Sequence, residues 1–493
     1  MVTLQIDHKR MPTRPKRPPP ASLQGPVVPQ SVKGRYRRIK WSVLVFCLSI
    51  YYVVPFLRWD RGPGQPDQAV LIDLERIRFH FFSLELMPHD LILLTGGLIL
   101  AALVLIFLNA VAGRVWCGYA CPQTVWSDLF MLVERAIDGD RRERLRERGQ
   151  PLTLRRAARA GFKHAIWLLI GLFTGGVFVL YFTDAPDFLR DFVTGRASLA
   201  AYAAVATLTT TTYVLAGLAR EQVCTWMCPW PRLQGAIWDP EALTVNYRDY
   251  RGEERTSAKK AAEARAAGKP AGDCVDCNMC VAVCPMGIDI REGPNFACIN
   301  CGLCVDACDD VMTKLDRPRG LIDYESWNNI ERGRAFSAGS IGSAATTEPV
   351  RLVRPKTVAL AGAILALGLL MLGYLATKAD LAISVVRDKN PVAVMLSDGS
   401  IRNAYSVRIY NNVAAERSYT LHVSGLDDAE IRTAAGIAPD GKGEITVGAT
   451  SNRVLRVLVS GFAAEAVPLD FAVVDTTTGA IAQTGDFFMM PGR

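Results

Sequence analysis

Residues 274–285 read CVDCNMCVAVCP and residues 298–308 read CINCGLCVDAC. Both runs have the spacing C-x2-C-x2-C-x3-C, the pattern of a bacterial-type ferredoxin that holds two [4Fe–4S] clusters. Three closely spaced thiolates cap one cubane, and the fourth, one helical turn on, reaches the other. The spacing therefore predicts one cluster on Cys274, Cys277, Cys280 and Cys308, and a second on Cys298, Cys301, Cys304 and Cys284. Zinc would call for separated CxxC pairs, not two runs of four. The first run ends in Pro285 but the second ends in Asp309, so an acid stands beside one cluster. Such clusters carry single electrons, and an acceptor is needed elsewhere.

Two further thiol pairs, CGYACP (117–122) and CTWMCP (224–229), each end a long apolar stretch. Cys117 and Cys121, like Cys224 and Cys228, stand at i and i+4, which on a continuous helix is one face. Tyr119 or Trp226 lies between the thiols, and Pro122 or Pro229 favours a helix end after them. The pattern reads as a duplicated two-span hairpin that brings four thiols together at one membrane face. Four chemistries stay open on these residues. They are a structural disulfide (disfavoured in a reducing compartment), plain buried cysteines, a thiol/disulfide couple and a soft-metal site suited to Cu(I). Met131 and Met227 are thioether candidates, or simply packing. None of the five histidines falls in an expected span, which leaves no axial pair for a membrane haem, and there is no CxxCH. No phosphate-binding Gly-rich motif is present, so electrons are expected from a partner or from quinol.

Five stretches are apolar enough to hold these groups in a bilayer: Trp41–Leu57, Leu91–Ala112, Ala165–Phe182, Leu199–Leu218 and Thr357–Thr377. A mean hydropathy of +0.16 agrees with a membrane chain. Residues 1–40 hold ten Lys/Arg against one acid, with no signal-peptide pattern and no aromatic interleaving that would suggest nucleic acid. The 113–164 segment carries eleven Lys/Arg, whereas the loops 58–90 and 183–198 carry four and two. The positive-inside rule then puts the N-terminus, 113–164 and 219–356 in the cytoplasm and 378–493 outside. All thirteen cysteines precede residue 309, so the reducing side receives every one.

The expected organisation is a basic segment 1–40, a four-span membrane domain 41–252 and a linker 253–272. A ferredoxin domain 273–327, a flexible linker 328–356, a fifth transmembrane helix 357–377 and a tail 378–493 follow. In the tail, YSVRIY (405–410), SYTLHV (418–423), RVLRVLV (453–459) and LDFAVV (469–474) predict an all-β sandwich of roughly seven strands. The outer-loop groups Asp60, Asp73, Glu75, His80, Glu85 and His89 are expected to be solvated, with a quinol or metal site as the alternative.

GRVWCGYACPQTVWSDLF (113–130) and EQVCTWMCPWPRLQGAIWD (221–239), followed by the double ferredoxin run, resemble the CcoG/FixG/RdxA family of membrane ferredoxins. That family is accessory to assembly of cbb3-type cytochrome c oxidase. The resemblance runs from the first span to the tail, which is similar to the family's immunoglobulin-like C-terminal domain. It implies a multi-pass protein of the bacterial inner membrane that reduces Cu(II) to Cu(I). On this chain Cys117, Cys121, Cys224 and Cys228 would hold copper and the eight ferredoxin cysteines would supply electrons. A copper exporter and oxidase assembly factors are the implied partners, with the hairpins paired in one chain or across a homodimer. Similar hairpins in NapH/NosR-like proteins suggest a quinol-linked carrier as a rival reading, and a scaffold with structural clusters as another.

Overall fold

The computed structural model describes residues 27–61, 65–74, 77–86, 90–151, 153–269, 271–337, 350–388, 391–413, 415–426, 430–433, 444–448, 451–463 and 465–490. Glu75 and His89 lie outside them, as do residues 1–26 and 338–349. The chain forms two compact units that divide near residue 370.

Among the described residues five helices are long and apolar enough to cross a membrane: Arg35–Phe56, Leu91–Ala112, Leu154–Leu180, Leu199–Ala219 and Pro355–Ala376. The first contains α1 (Arg35–Val53), which starts ahead of the expected Trp41 because protein, not water, caps it. The backbone N–H groups of Tyr36 and Arg37 donate to the Asp306 carboxylate at 3.1 and 2.8 Å. A carboxylate there satisfies orphan donors and faces the positive end of the helix dipole. Arg37 and Lys40, in the basic segment, are buried against Asp128 at 3.4 and 3.1 Å.

The second helix, α2 (Leu91–Ala112), gives way to a short α3 (Val115–Tyr119) and then to α4 (Pro122–Asp138). The third long helix, α5 (Leu154–Leu180), begins before the expected Ala165, with the Thr153 hydroxyl accepting from the Arg156 N–H at its N-cap. His164 therefore lies on a long helix, contrary to expectation, and pairs with the Tyr213 hydroxyl at 2.9 Å. The fourth, α6 (Leu199–Thr212), continues as a π-helical stretch to Ala219. Gly175 lets α5 and α6 approach closely: a Cβ there would stand 3.0 Å from the Val205 carbonyl. The last long helix is anchored at its start by Arg354, which pairs with Asp239 at 2.7 Å and donates to the Ala110 carbonyl.

The loop between the first two long helices is folded, not merely solvated. Strands β1 (Val70–Asp73), β2 (Arg78–Phe81) and β3 (Leu84–Leu86) form an antiparallel sheet. His80 is buried, and Arg78 pairs with Glu85 at 2.9 Å with both side chains about nine-tenths covered. The alternation in RFHF, too short to stand out beside its charges, is what buries His80.

Strand β4 (Thr244–Tyr247), in the stretch assigned above to the membrane domain, pairs antiparallel with β5 (Ile322–Glu325). The two strands bracket the cysteine runs and, with helix α7 (Leu303–Lys314), enclose Val245, Tyr247, Val305, Met312, Leu321 and Ile322. The expected flexible linker begins with a helix, Trp327–Ser337, whose Ile330 is fully buried.

The C-terminal unit is an all-β sandwich. Its larger sheet runs β10 (Glu430–Thr433), β12 (Ser451–Gly461), β8 (Ile401–Asn411), β6 (Leu381–Arg387), with β7 (Val394–Met395) also on β8. The smaller runs β11 (Ile445–Val447), β9 (Arg417–Ser424), β13 (Val467–Asp475), β14 (Ile481–Phe488). Alternate residues of β8, among them Tyr405, Val407 and Ile409, are fully buried between the sheets. The four stretches read as strands all are strands. The count exceeds the expected seven because β7 and β11 are only two and three residues long.

Candidate metal centre

The cysteine runs surround two cavities. One is lined by Cys274, Cys277, Cys280 and Cys308 among apolar side chains, with Arg291 beside them. The other is lined by Cys284, Cys298, Cys301 and Cys304, and by Cys280 as well. The first takes three thiols from one run and one from the other; the second takes three from the second run and two from the first, Cys280 being shared. Asn278 and Gly302, both in left-handed conformation, turn the chain at equivalent places in the two runs. Burial pushes the Cys280 and Cys284 thiols up to about 12 and Cys298 up to about 11. Thiolates in so dry a setting need a cationic partner, and a soft-sulfur donor set of four suits an iron–sulfur cubane. Among the described residues no three His, Cys, Asp or Glu side chains are placed to hold one metal ion. The thiols stand around a volume, not a point.

Arg291, which spacing did not single out, is almost fully buried and bonds Asp289 and Asp276, both at 2.6 Å. Its bonds to Asp289 chiefly hold the guanidinium charged against the cost of burial. It carries no motif signal; only the cavity reveals it.

The second thiol set departs from its expected local geometry. Cys117 is on α3, but Cys121 is extended (ψ 129°) at the N-cap of α4. Cys224 lies in a π-helical turn, Val223–Met227, and Cys228 is extended after it (ψ 124°). Neither pair occupies one helix face, because a residue before proline is pushed out of the helical region. The duplication is nonetheless visible in the backbone. Gly113 and Arg220, each at i−4 from the first cysteine of its motif, both have positive φ, 55° and 38°. Arg220, without glycine's freedom, is held by the Gly217 carbonyl at 2.8 Å, by Glu134 at 2.8 Å and by the Trp167 ring.

Burial raises the Cys117 thiol to about 12, with Cys121, Cys224 and Cys228 adding to the rise and Arg114 opposing it. Cys224 is pushed up to about 11 by burial first, then by Cys121 and Cys228. The four thiols are therefore within electrostatic reach of one another. Cys117 and Cys224 also pack with Cys284, Cys301 and Cys304 around Ile299 and Leu303, on the second ligand run. Arg114 ties the parts together, donating to the carbonyls of Phe296 and, at 2.6 Å, Pro231. Met131 is buried, whereas Met227 is 63% exposed.

Fold and site together define a membrane-bound iron–sulfur redox protein. Residues 219–327 match a family described as a 4Fe-4S dicluster domain, 93–138 a 4Fe-4S binding domain, and 371–491 the IG-like fold at the C-terminus of FixG. The chain belongs to the FixG/RdxA family: it is 43% identical to the nitrogen fixation protein FixG of Rhizobium meliloti over 88% of this chain and 86% of the relative. It is 48% identical to RdxB of Cereibacter sphaeroides, covering 82% and 83%, and 43% identical to RdxA of that organism, covering 88% and 89%. A crystal structure of a FixG-related protein from Vibrio parahaemolyticus aligns with 22% of this chain and 96% of its own at 19% identity, TM-score 0.20.

Proposed function

We propose that this protein is a cupric reductase serving assembly of a cbb3-type cytochrome c oxidase. Cys274, Cys277, Cys280 and Cys308 ligate one [4Fe–4S] cluster and Cys298, Cys301, Cys304 and Cys284 the other. When bound, these clusters supply electrons one at a time. Cys117, Cys121, Cys224 and Cys228 receive Cu(II) and, as soft thiolates, favour the Cu(I) product. The observation that carries this reading is the packing of Cys117 and Cys224 against the second ligand run, with Cys284, Cys301 and Cys304 in the same apolar cluster. Thiols so close to the run have little to do as membrane packing alone. The runs and the four thiols face the cytoplasm, on the charge asymmetry of the loops. A cytoplasmic donor or quinol supplies the electrons, and a copper exporter takes the Cu(I) onward.

The test is anaerobic. Reduced protein mixed with Cu(II) and a Cu(I)-specific chelator is expected to form Cu(I) as the reduced-cluster EPR signal disappears. With clusters intact, the Cys117→Ser, Cys224→Ser double variant should lose at least the roughly tenfold that even an outer-shell partner of a metal is worth. Unchanged copper reduction in that variant would overturn the reading. Reoxidation by a quinone analogue but not by copper would move the protein to the quinol-linked carriers.

A further inference from the structure

The two CxxxCP motifs are equivalent in sequence but not in surroundings. In the first, the Tyr119 hydroxyl donates to the backbone carbonyl of Cys301 at 3.0 Å, and the residue is 9% exposed. Gly118 sits directly on the same run: a Cβ there would lie 2.5 Å from the Ile299 carbonyl oxygen. Asn300 adds a bond from its side-chain amide to the Ala112 carbonyl at 3.4 Å. Tyr119 is also met by the Tyr324 hydroxyl at 3.5 Å, and Tyr324 itself donates to the Asn300 carbonyl. In the second motif Trp226, the matching aromatic, is 59% exposed. Both motifs touch the ligand run through a cysteine, Cys117 or Cys224, but only the first is also bonded to it through its aromatic residue.

We propose that Tyr119 is the positioning residue for electron passage between the second ligand run and the membrane thiols, a task that Trp226 does not share. The inference rests on reading those thiols as the copper site. The step is a single electron transfer: one Cu(II) gains an electron to become Cu(I), the iron–sulfur side loses one, and no protein bond or proton changes hands. Tyr119 keeps its proton and is not oxidised. Its hydrogen bond closes the gap between the Cys301 backbone and the segment that bears Cys117. Electron tunnelling falls steeply as such a gap widens.

Tyr119→Phe and Trp226→Phe are compared in the full-length protein, with cluster content checked by absorbance and EPR. At saturating Cu(II), reoxidation of Tyr119→Phe is expected to slow about fivefold, the factor that one ordinary hydrogen bond carries. The half-saturating copper concentration should stay unchanged, which separates positioning from metal binding. Alkylation of Cys117, read by mass spectrometry, should quicken measurably as the segment opens more often. Trp226→Phe should change neither. A wild-type rate in Tyr119→Phe, or an equal slowing in Trp226→Phe, overturns the proposal. If copper does not reoxidise even the wild-type clusters, the functional reading fails by itself. Labelling then decides, and Cys117 alkylated no faster in Tyr119→Phe overturns the positioning role.

Discussion

At the scale of single residues, the charge beside the first cavity comes from Arg291, not from any cysteine. Its guanidinium is buried beside Asp289 and also pairs with the half-exposed Asp276, with the cation lining the cavity. Removing the arginine leaves Asp289 uncompensated next to Cys280. Adding an electron there then becomes harder. Arg291→Ala should therefore lower the reduction potential of the cluster proposed at Cys274, Cys277, Cys280 and Cys308 by something on the order of 50 mV, for the loss of one charge in a partly screened interior. EPR-monitored redox titration checks this. The cluster at the second run should keep its potential, and a shift in both would mean that the arginine acts by loosening the fold.

At the scale of elements, the decisive feature is the break that converts a membrane helix into a docked turn. Gly113 ends α2 with φ 55°, and a Cβ there would meet the Asn300 amide and the Thr244 methyl, both at 2.7 Å. Gly113→Ala combines a left-handed strain of about 1–2 kcal/mol with that clash. It should destabilise the cluster-bearing unit by about 2 kcal/mol or more, read as a lower temperature for loss of cluster absorbance. The long helices were legible in the sequence because apolar runs of their length have few other fates. The dicluster domain was legible because the spacing of the two cysteine runs is what a cubane demands of its thiolates. The break was misread: i and i+4 suggested one helix face, but Pro122 and Pro229 forced Cys121 and Cys228 into extended backbone. The Asp306 cap on α1 was invisible for another reason. It joins residues 270 positions apart, and nothing local in either segment marks the partner.

At the scale of the whole molecule, metal and stability are unevenly divided. The apolar cluster around β4 and β5 counts three cysteines, Cys274, Cys280 and Cys308, among its ten buried residues. The sandwich core has sixteen buried residues and no cysteine. Where ligands make up so much of a core, the free energy of binding metal is largely free energy of folding. Chelating the iron under anaerobic, oxidising conditions should therefore lower or abolish one thermal transition and leave the other within about 2 °C, since a shift that small corresponds to well under 1 kcal/mol in a domain of this size. The probes separate naturally. All nine tryptophans precede residue 328, so their fluorescence reports on the cysteine-bearing unit. The far-UV β-sheet signal comes mainly from residues 378–493. Tryptophan fluorescence should lose its cooperative transition after iron removal while the β-sheet transition persists. Loss of both together would show that the sandwich depends on the iron-bearing unit for its own stability, and the division drawn from the cores would be wrong.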